Sequence, residues 1–154
     1  MNEPATDFGG GLVRLRLDVA YDGTDEAKAA LELAARLAKR FDAKLELIGV
    51  AGLDWYAGPA LVGGANYEMD TLRVETEKRI QEALHEAAQG LDRPSETVLR
   101  DGDPAEELAE QSEQLDLLVT GSRGYGPLRA VLMGGVSGRL IRLARCPVIV
   151  TPRP

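Results

Sequence analysis

The sequence predicts an α/β fold of the doubly wound class, a five-stranded parallel sheet with helices on both faces. Strand-like and helix-like patterns alternate five times along the chain, which is the order of a parallel sheet linked by helical crossovers. The strand candidates are mostly short continuous apolar runs, such as Leu117-Leu118-Val119 and Val148-Ile149-Val150, as expected of strands covered on both sides. With 154 residues, 44% hydrophobic and 28% charged, the chain has the size and composition of one packed domain.

Residues 1–11 are polar, end in Gly9-Gly10-Gly11, and are read as a flexible leader to a single domain over 12–154. The strand candidates are Val13 to Tyr21, Lys44 to Ala51, Glu96 to Arg100, Asp116 to Gly121 and Pro147 to Thr151. The first alternates Arg14, Leu15, Arg16, Leu17, Asp18 and Val19, the pattern of a half-exposed strand. In a central position, Asp18 would need a cation or hydrogen-bond donor, because an unpaired buried carboxylate is costly.

The first helix carries an apolar stripe of Ala27, Ala30, Leu31, Ala34, Leu37, Ala38 and Phe41, with Thr24 as its cap and Asp25 and Glu26 in its first turn. The second is striped by Leu72, Thr76, Ile80, Ala83, Leu84, Ala87 and Leu91, and Gly90 marks its end. The third opens with Asp103 as cap, Pro104 at the first helical position and Glu106 three residues after the cap. Its stripe is Ala105, Leu108, Ala109 and Ser112. The fourth runs from about Gly135 to Ala144 and stops before Cys146-Pro147, since proline disfavours a helical residue before it.

No apolar run reaches the ~20 residues of a membrane span, and Met1 to Gly11 lacks the basic and apolar regions of a signal peptide, so a cytoplasmic protein is expected. The lone Cys146 cannot form an internal disulfide, and a small apolar role near a helix end is expected for it. The net charge of −7 argues against nucleic acid as a partner, but it is unevenly spread. After Asp116 there is no acid, while six arginines follow; the last 38 residues carry +6 and the first 116 therefore −13. A basic segment in an acidic protein suits a small anion better than a polyanion.

In sheets of this class ligands bind beyond the carboxyl ends of the strands. The loops there are Asp22-Gly23-Thr24, Gly52 to Asn66, Asp101-Gly102-Asp103 and Ser122 to Gly135. The first is too short for a G-x-G-x-x-G dinucleotide fingerprint, and no Walker-type P-loop is present. Glycines gather instead as Gly121-Ser122-Arg123-Gly124 and Gly134-Gly135, a G-x2-G-x9-G spacing before the last helix. Such glycines let backbone N–H groups approach an anion, and the helix N-terminus adds positive potential. In a chain with 17 glycines, a plain turn between strand and helix has the same spacing.

These pieces together resemble the universal stress protein family. The resemblance runs from Leu17 to Thr151 and is most specific over Asp116 to Gly124, Gly134-Gly135-Val136-Ser137 and Cys146 to Val150, with Ala20-Tyr21-Asp22-Gly23-Thr24 and Gly102-Asp103-Pro104 also in place. It implies a Rossmann-like three-layer sandwich of the adenine nucleotide α-hydrolase type, homodimers through the C-terminal strand Val148 to Val150, and, in one branch, bound ATP or ADP with Mg²⁺. Carried over by position, Ala20 and Tyr21 would border the base, Asp22 would contact sugar or base, and Val50 would line the adenine pocket. Gly121, Arg123, Gly124 and Gly134 would surround the phosphates, with Gly135, Val136 and Ser137 beside them. The chain departs from that branch at Gly135, where a Ser or Thr hydroxyl is expected; the backbone N–H of Gly135 and the hydroxyl of Ser137 remain. Losing one donor costs on the order of 1 kcal/mol.

Other polar groups carry plainer readings. His85 lies among Glu82, Glu86 and Gln89 on a polar helix face and is read as a surface residue. Asp103 is read as a helix cap rather than as half of a carboxylate pair or magnesium site with Asp101. Trp55 and Tyr56 belong to the long loop from Gly52 to Asn66, read as a lid or partner surface, with Tyr67 beyond it. No Ser, His and Asp set or Cys and His set can be assembled, so nothing demands catalysis; the resemblance implies a stress-response regulatory protein rather than an enzyme, with room for slow ATP hydrolysis. Its nucleotide state would order Ser122 to Met133 and so modulate an unknown protein partner. The alternative is an interaction module of the same fold with an empty site. The sequence leaves open whether the chain is half of a tandem pair.

Overall fold

The structure is a computed structural model, and it describes residues 14–52, 66–122 and 135–152, with side chains of the second stretch described from 70. Five strands, β1 (Arg16–Ala20), β2 (Lys44–Val50), β3 (Glu96–Arg100), β4 (Leu117–Gly121) and β5 (Val148–Thr151), form one parallel sheet in the order β3-β2-β1-β4-β5. The helices are α1 (Asp25–Phe41), α2 (Asn66–Gln89), α3 (Pro104–Gln111) and α4 (Val136–Leu143), with a 3₁₀ turn over Ser112–Gln114.

Two apolar clusters separate the layers. One holds Leu17, Val19, Leu45 and Leu47 of the sheet, with Tyr21 just past β1, against α1 (Ala27, Ala30, Leu31, Ala34, Ala38) and α2 (Ile80, Leu84). The other, on the opposite face, joins Ile48 and Leu118 to Leu108 of α3 and Leu140 of α4. The doubly wound arrangement is therefore present, and β1 stands at its centre.

The central place of β1 corrects the half-exposed reading of its alternating pattern. Asp18 is 2% exposed, and its partner comes from α3: the Gln111 amide donates to Asp18 Oδ2 at 3.0 Å and to Glu46 Oε1 of β2 at 3.2 Å. A polar residue in β1 thus faces a polar patch under α3 rather than water. Burial pushes the Asp18 carboxyl up to about 6, with the Gln111 hydrogen bond opposing it and Glu46 adding to it. Burial also raises Glu46.

The helix termini follow their sequence signals. Thr24 Oγ1 accepts from Ala27 N at 3.3 Å to cap α1, which ends at Asp42 in the left-handed region, φ 49°. Asp103 Oδ1 accepts from Ala105 N and Glu106 N at 3.0 and 3.1 Å to cap α3. Two stripe assignments fail: Phe41 is 59% and Leu72 49% exposed. Phe41 is the last residue of α1, and Leu72 lies in the N-terminal part of α2, which begins six residues before the apolar pattern does.

Candidate functional site

The strand order reverses between β1 and β4, whose neighbours run β2 and β3 on one side and β5 on the other. At such a switch point the loops beyond the carboxyl ends diverge and leave a crevice. Ala20 at the end of β1, Val50 at the end of β2 and Val136 at the start of α4 are half-buried and pack on the same apolar cluster. They form an apolar shelf at the rim of the sheet.

Polar groups gather beside that shelf. Gly23 takes φ +83°, a left-handed turn in which Asp22 Oδ1 accepts from Thr24 N at 3.1 Å and from Thr24 Oγ1 at 2.6 Å. This turn fixes Asp22 directly after β1. Tyr21, by contrast, is buried in the cluster under α1 and α2, and its N–H donates to Ile48 O at 2.8 Å. Burial raises its phenol, which stays protonated at neutral pH.

The β2 and β3 loops cross at close range. A Cβ on Gly52 would lie 1.8 Å from the carbonyl oxygen of Gly102, which itself adopts φ +145°. Gly121 at the end of β4 packs on the first turn of α1, where a Cβ would meet Glu26 O at 2.5 Å. Its own carbonyl accepts from Ser137 Oγ at 3.1 Å, tying β4 to α4. Gly135, the cap position of α4, has no side-chain cap and open space where a Cβ would be.

Of the residues singled out from the sequence, Ala20, Tyr21, Asp22, Val50, Gly121, Gly135, Val136 and Ser137 all stand at the carboxyl ends of the strands or on α4, while Arg123, Gly124 and Gly134 lie outside the described residues. Trp55 and Tyr56 lie outside them too, and of Tyr67 only the helical backbone is described. Two arginines, Arg73 and Arg79, were not singled out from the sequence, and Arg139 was counted there only as part of the basic C-terminal segment. Arg79 of α2 donates to the backbone carbonyl of Asp22 at 3.3 Å, Arg73 pairs with Asp101, and Arg139 of α4 donates to Asp103 Oδ2 at 2.7 Å. Although burial pushes Asp103 upward, the Arg139 and backbone hydrogen bonds hold its carboxyl below the usual range. The signal was weak, because Arg73 and Arg79 look like any solvated helix charges until the sheet places them over the β1 and β3 loops.

His85 is exposed, 2.8 Å from Gln89 Nε2, and belongs to no cluster of the site. Among the described residues no group of His, Cys, Asp and Glu is arranged to hold a metal ion, and no helix is long and apolar enough to cross a membrane.

Comparison with known proteins places this geometry. The sequence model of the universal stress protein family matches residues 16–152. The chain belongs to the universal stress protein family. The curated universal stress protein YxiE of Bacillus subtilis is 31% identical over 140 residues, covering 86% of this chain and 95% of its own. Among solved structures, a universal stress protein in complex with cAMP shares the fold at TM-score 0.60 and 22% identity, over 92% of this chain and 98% of that one. The universal stress protein of Archaeoglobus fulgidus in complex with dAMP shares it at TM-score 0.54 and 20% identity, over 88% and 96%. The five-stranded parallel sheet expected of the family is the one observed.

Proposed function

We propose that this universal stress protein binds an adenine nucleotide, ATP or ADP with Mg²⁺, in the crevice between the β1 and β4 ends. The shelf of Ala20, Val50 and Val136 carries this reading. It is apolar, only half covered, and bordered by the fixed Asp22 turn and the start of α4, which suits a flat base on one side and anionic groups on the other. Two proteins of the same fold are solved with adenine monophosphates, cAMP and dAMP. The glycine-rich segment from Gly121 to Gly135, with Arg123, Gly124 and Gly134, supplies the phosphate contacts, and Tyr21 borders the base through its backbone.

The protein acts as a regulatory homodimer in the cytoplasm, its nucleotide state modulating a partner protein. β5 ends the sheet and pairs only with β4 among the described residues, so Val148 to Val150 present a strand edge to a second copy. Among the described residues no nucleophile and base are assembled beside the shelf, and turnover of ATP is slow at most.

One observation favours the second reading, an interaction module with an empty site. Gly135 brings no hydroxyl, and that of Ser137 is spent on Gly121 O. Isothermal titration of the full chain with ATP·Mg²⁺ and ADP, repeated with Gly124→Val, separates the two. Saturable binding that the variant loses supports the nucleotide site. Absence of heat at millimolar nucleotide, with a folded dimer, supports the module.

A further inference from the structure

The opposite end of the sheet holds a second cleft of about 750 Å³, between the last turns of α1, the amino ends of β1 and β2, and residues 90–94 after α2. Its volume lies within the range of small-molecule pockets. The bed is apolar, made by Ala35, Ala38, Ala43, Leu45, Leu91 and Pro94. The rim is basic: six of the fourteen lining residues are Lys or Arg and one, Asp92, is acidic, in a chain of net charge −7.

Some of that charge is already matched. Arg14 and Arg93 both pair with Asp42, and Lys44 pairs with Glu96 at 2.9 Å. Arg16, Arg36 and Lys39 enter no ion pair among the described residues. Lys39 also offsets the negative end of α1, whose last turn it shares with Arg40. A local excess of cations over an apolar bed selects a ligand with the complementary parts.

We propose that this cleft binds a small amphipathic anion, a carboxylate or phosphate head on an apolar chain, with the chain on Leu45 and Leu91 and the head at Arg36 and Lys39. The site is independent of the nucleotide crevice, since it lies at the amino rather than the carboxyl ends of the strands. Each methylene laid on the bed is removed from water, and the guanidinium and ammonium groups fix the head.

The test is titration of the full chain, followed by tryptophan-independent calorimetry, with decanoate, decyl phosphate and neutral decanol. One-to-one saturation by at least one anion, at least tenfold tighter than by decanol, is expected. Arg36→Gln with Lys39→Gln should weaken the anion at least tenfold and leave the melting temperature within a few degrees. Ala35→Trp, which fills the half-buried edge of the bed, should abolish binding of anion and alcohol alike. The tighter of the two anions identifies the head group. Decanol binding as well as the anions, unchanged binding by the double variant, or no saturation with the protein folded would each overturn the proposal.

Discussion

The Gln111 side chain on α3 donates to Asp18 at the centre of the sheet, 93 residues away in the chain. It holds together two carboxylates, Asp18 and Glu46, on neighbouring strands. This contact explains how β1 can be central while carrying an acid. It also links stability to pH.

Asp18 binds its proton more tightly when folded, at about 6 against 3.8. For a carboxyl shifted upward, the favourable contribution is present at low pH and is lost as pH rises from about 4 through 6. At neutral pH the ionised group therefore costs stability, at most about 3 kcal/mol for a shift of this size. Asp18→Asn should stabilise the protein at pH 7.5, by roughly 1–2 kcal/mol after the hydrogen bonds readjust. Urea unfolding should show that gain shrinking towards pH 4.5. An equal gain at both pH values would mean that Asp18 does not titrate in this window.

Gly52→Ala places a methyl carbon on the Gly102 carbonyl, with backbone on both sides. The loops after β2 and β3 must then separate, at a cost of about 1–3 kcal/mol. Thermal unfolding should record the loss. Nucleotide affinity should fall with it, because Val50 is two residues from the contact. A variant of native stability would show that the two loops can part freely.

Gly135→Ser meets nothing at its Cβ and gives α4 the capping hydroxyl it lacks. Stability should rise by only a few tenths of a kcal/mol, since glycine is itself a tolerable cap. The same hydroxyl adds a donor at the N-terminus of α4, where the proposed site puts the phosphates. One such hydrogen bond is worth about 1 kcal/mol, so ATP should bind about fivefold tighter by calorimetry. Unchanged affinity with improved stability would place the phosphates elsewhere.

Asp103→Ala removes the cap of α3 and the partner of Arg139 together. A loss of about 1–2 kcal/mol is expected in denaturant unfolding, most of it from the cap, because the ion pair is partly exposed. Asp103→Asn should recover most of that loss, since its side-chain oxygen can still accept from the α3 backbone.

Much of this architecture was legible in the chain because its signals are local. Thr24 and Asp103 cap the helices they precede, and Val148-Ile149-Val150 forms the strand its apolar run implies. The place of β1 was not legible, because its acid is satisfied by Gln111, a residue that no local pattern connects to Asp18. The positions of Ala20 and Val50 at strand ends, and of Asp22 just past β1, were legible from the apolar runs before them. The pairings of Arg79 with Asp22 and of Arg139 with Asp103 were not, since they form only through the crossovers.

The nucleotide crevice is tested most directly by amide NMR shifts during titration of ADP·Mg²⁺ into the ¹⁵N-labelled full chain. Saturating shifts concentrated at Asp22, Val50, Ala51, Gly121, Gly135 and Val136, with little change at Lys39, Lys44 and Asp92, are predicted. No shifts at millimolar ADP, or shifts clustered away from the β1 and β4 ends, would contradict the account.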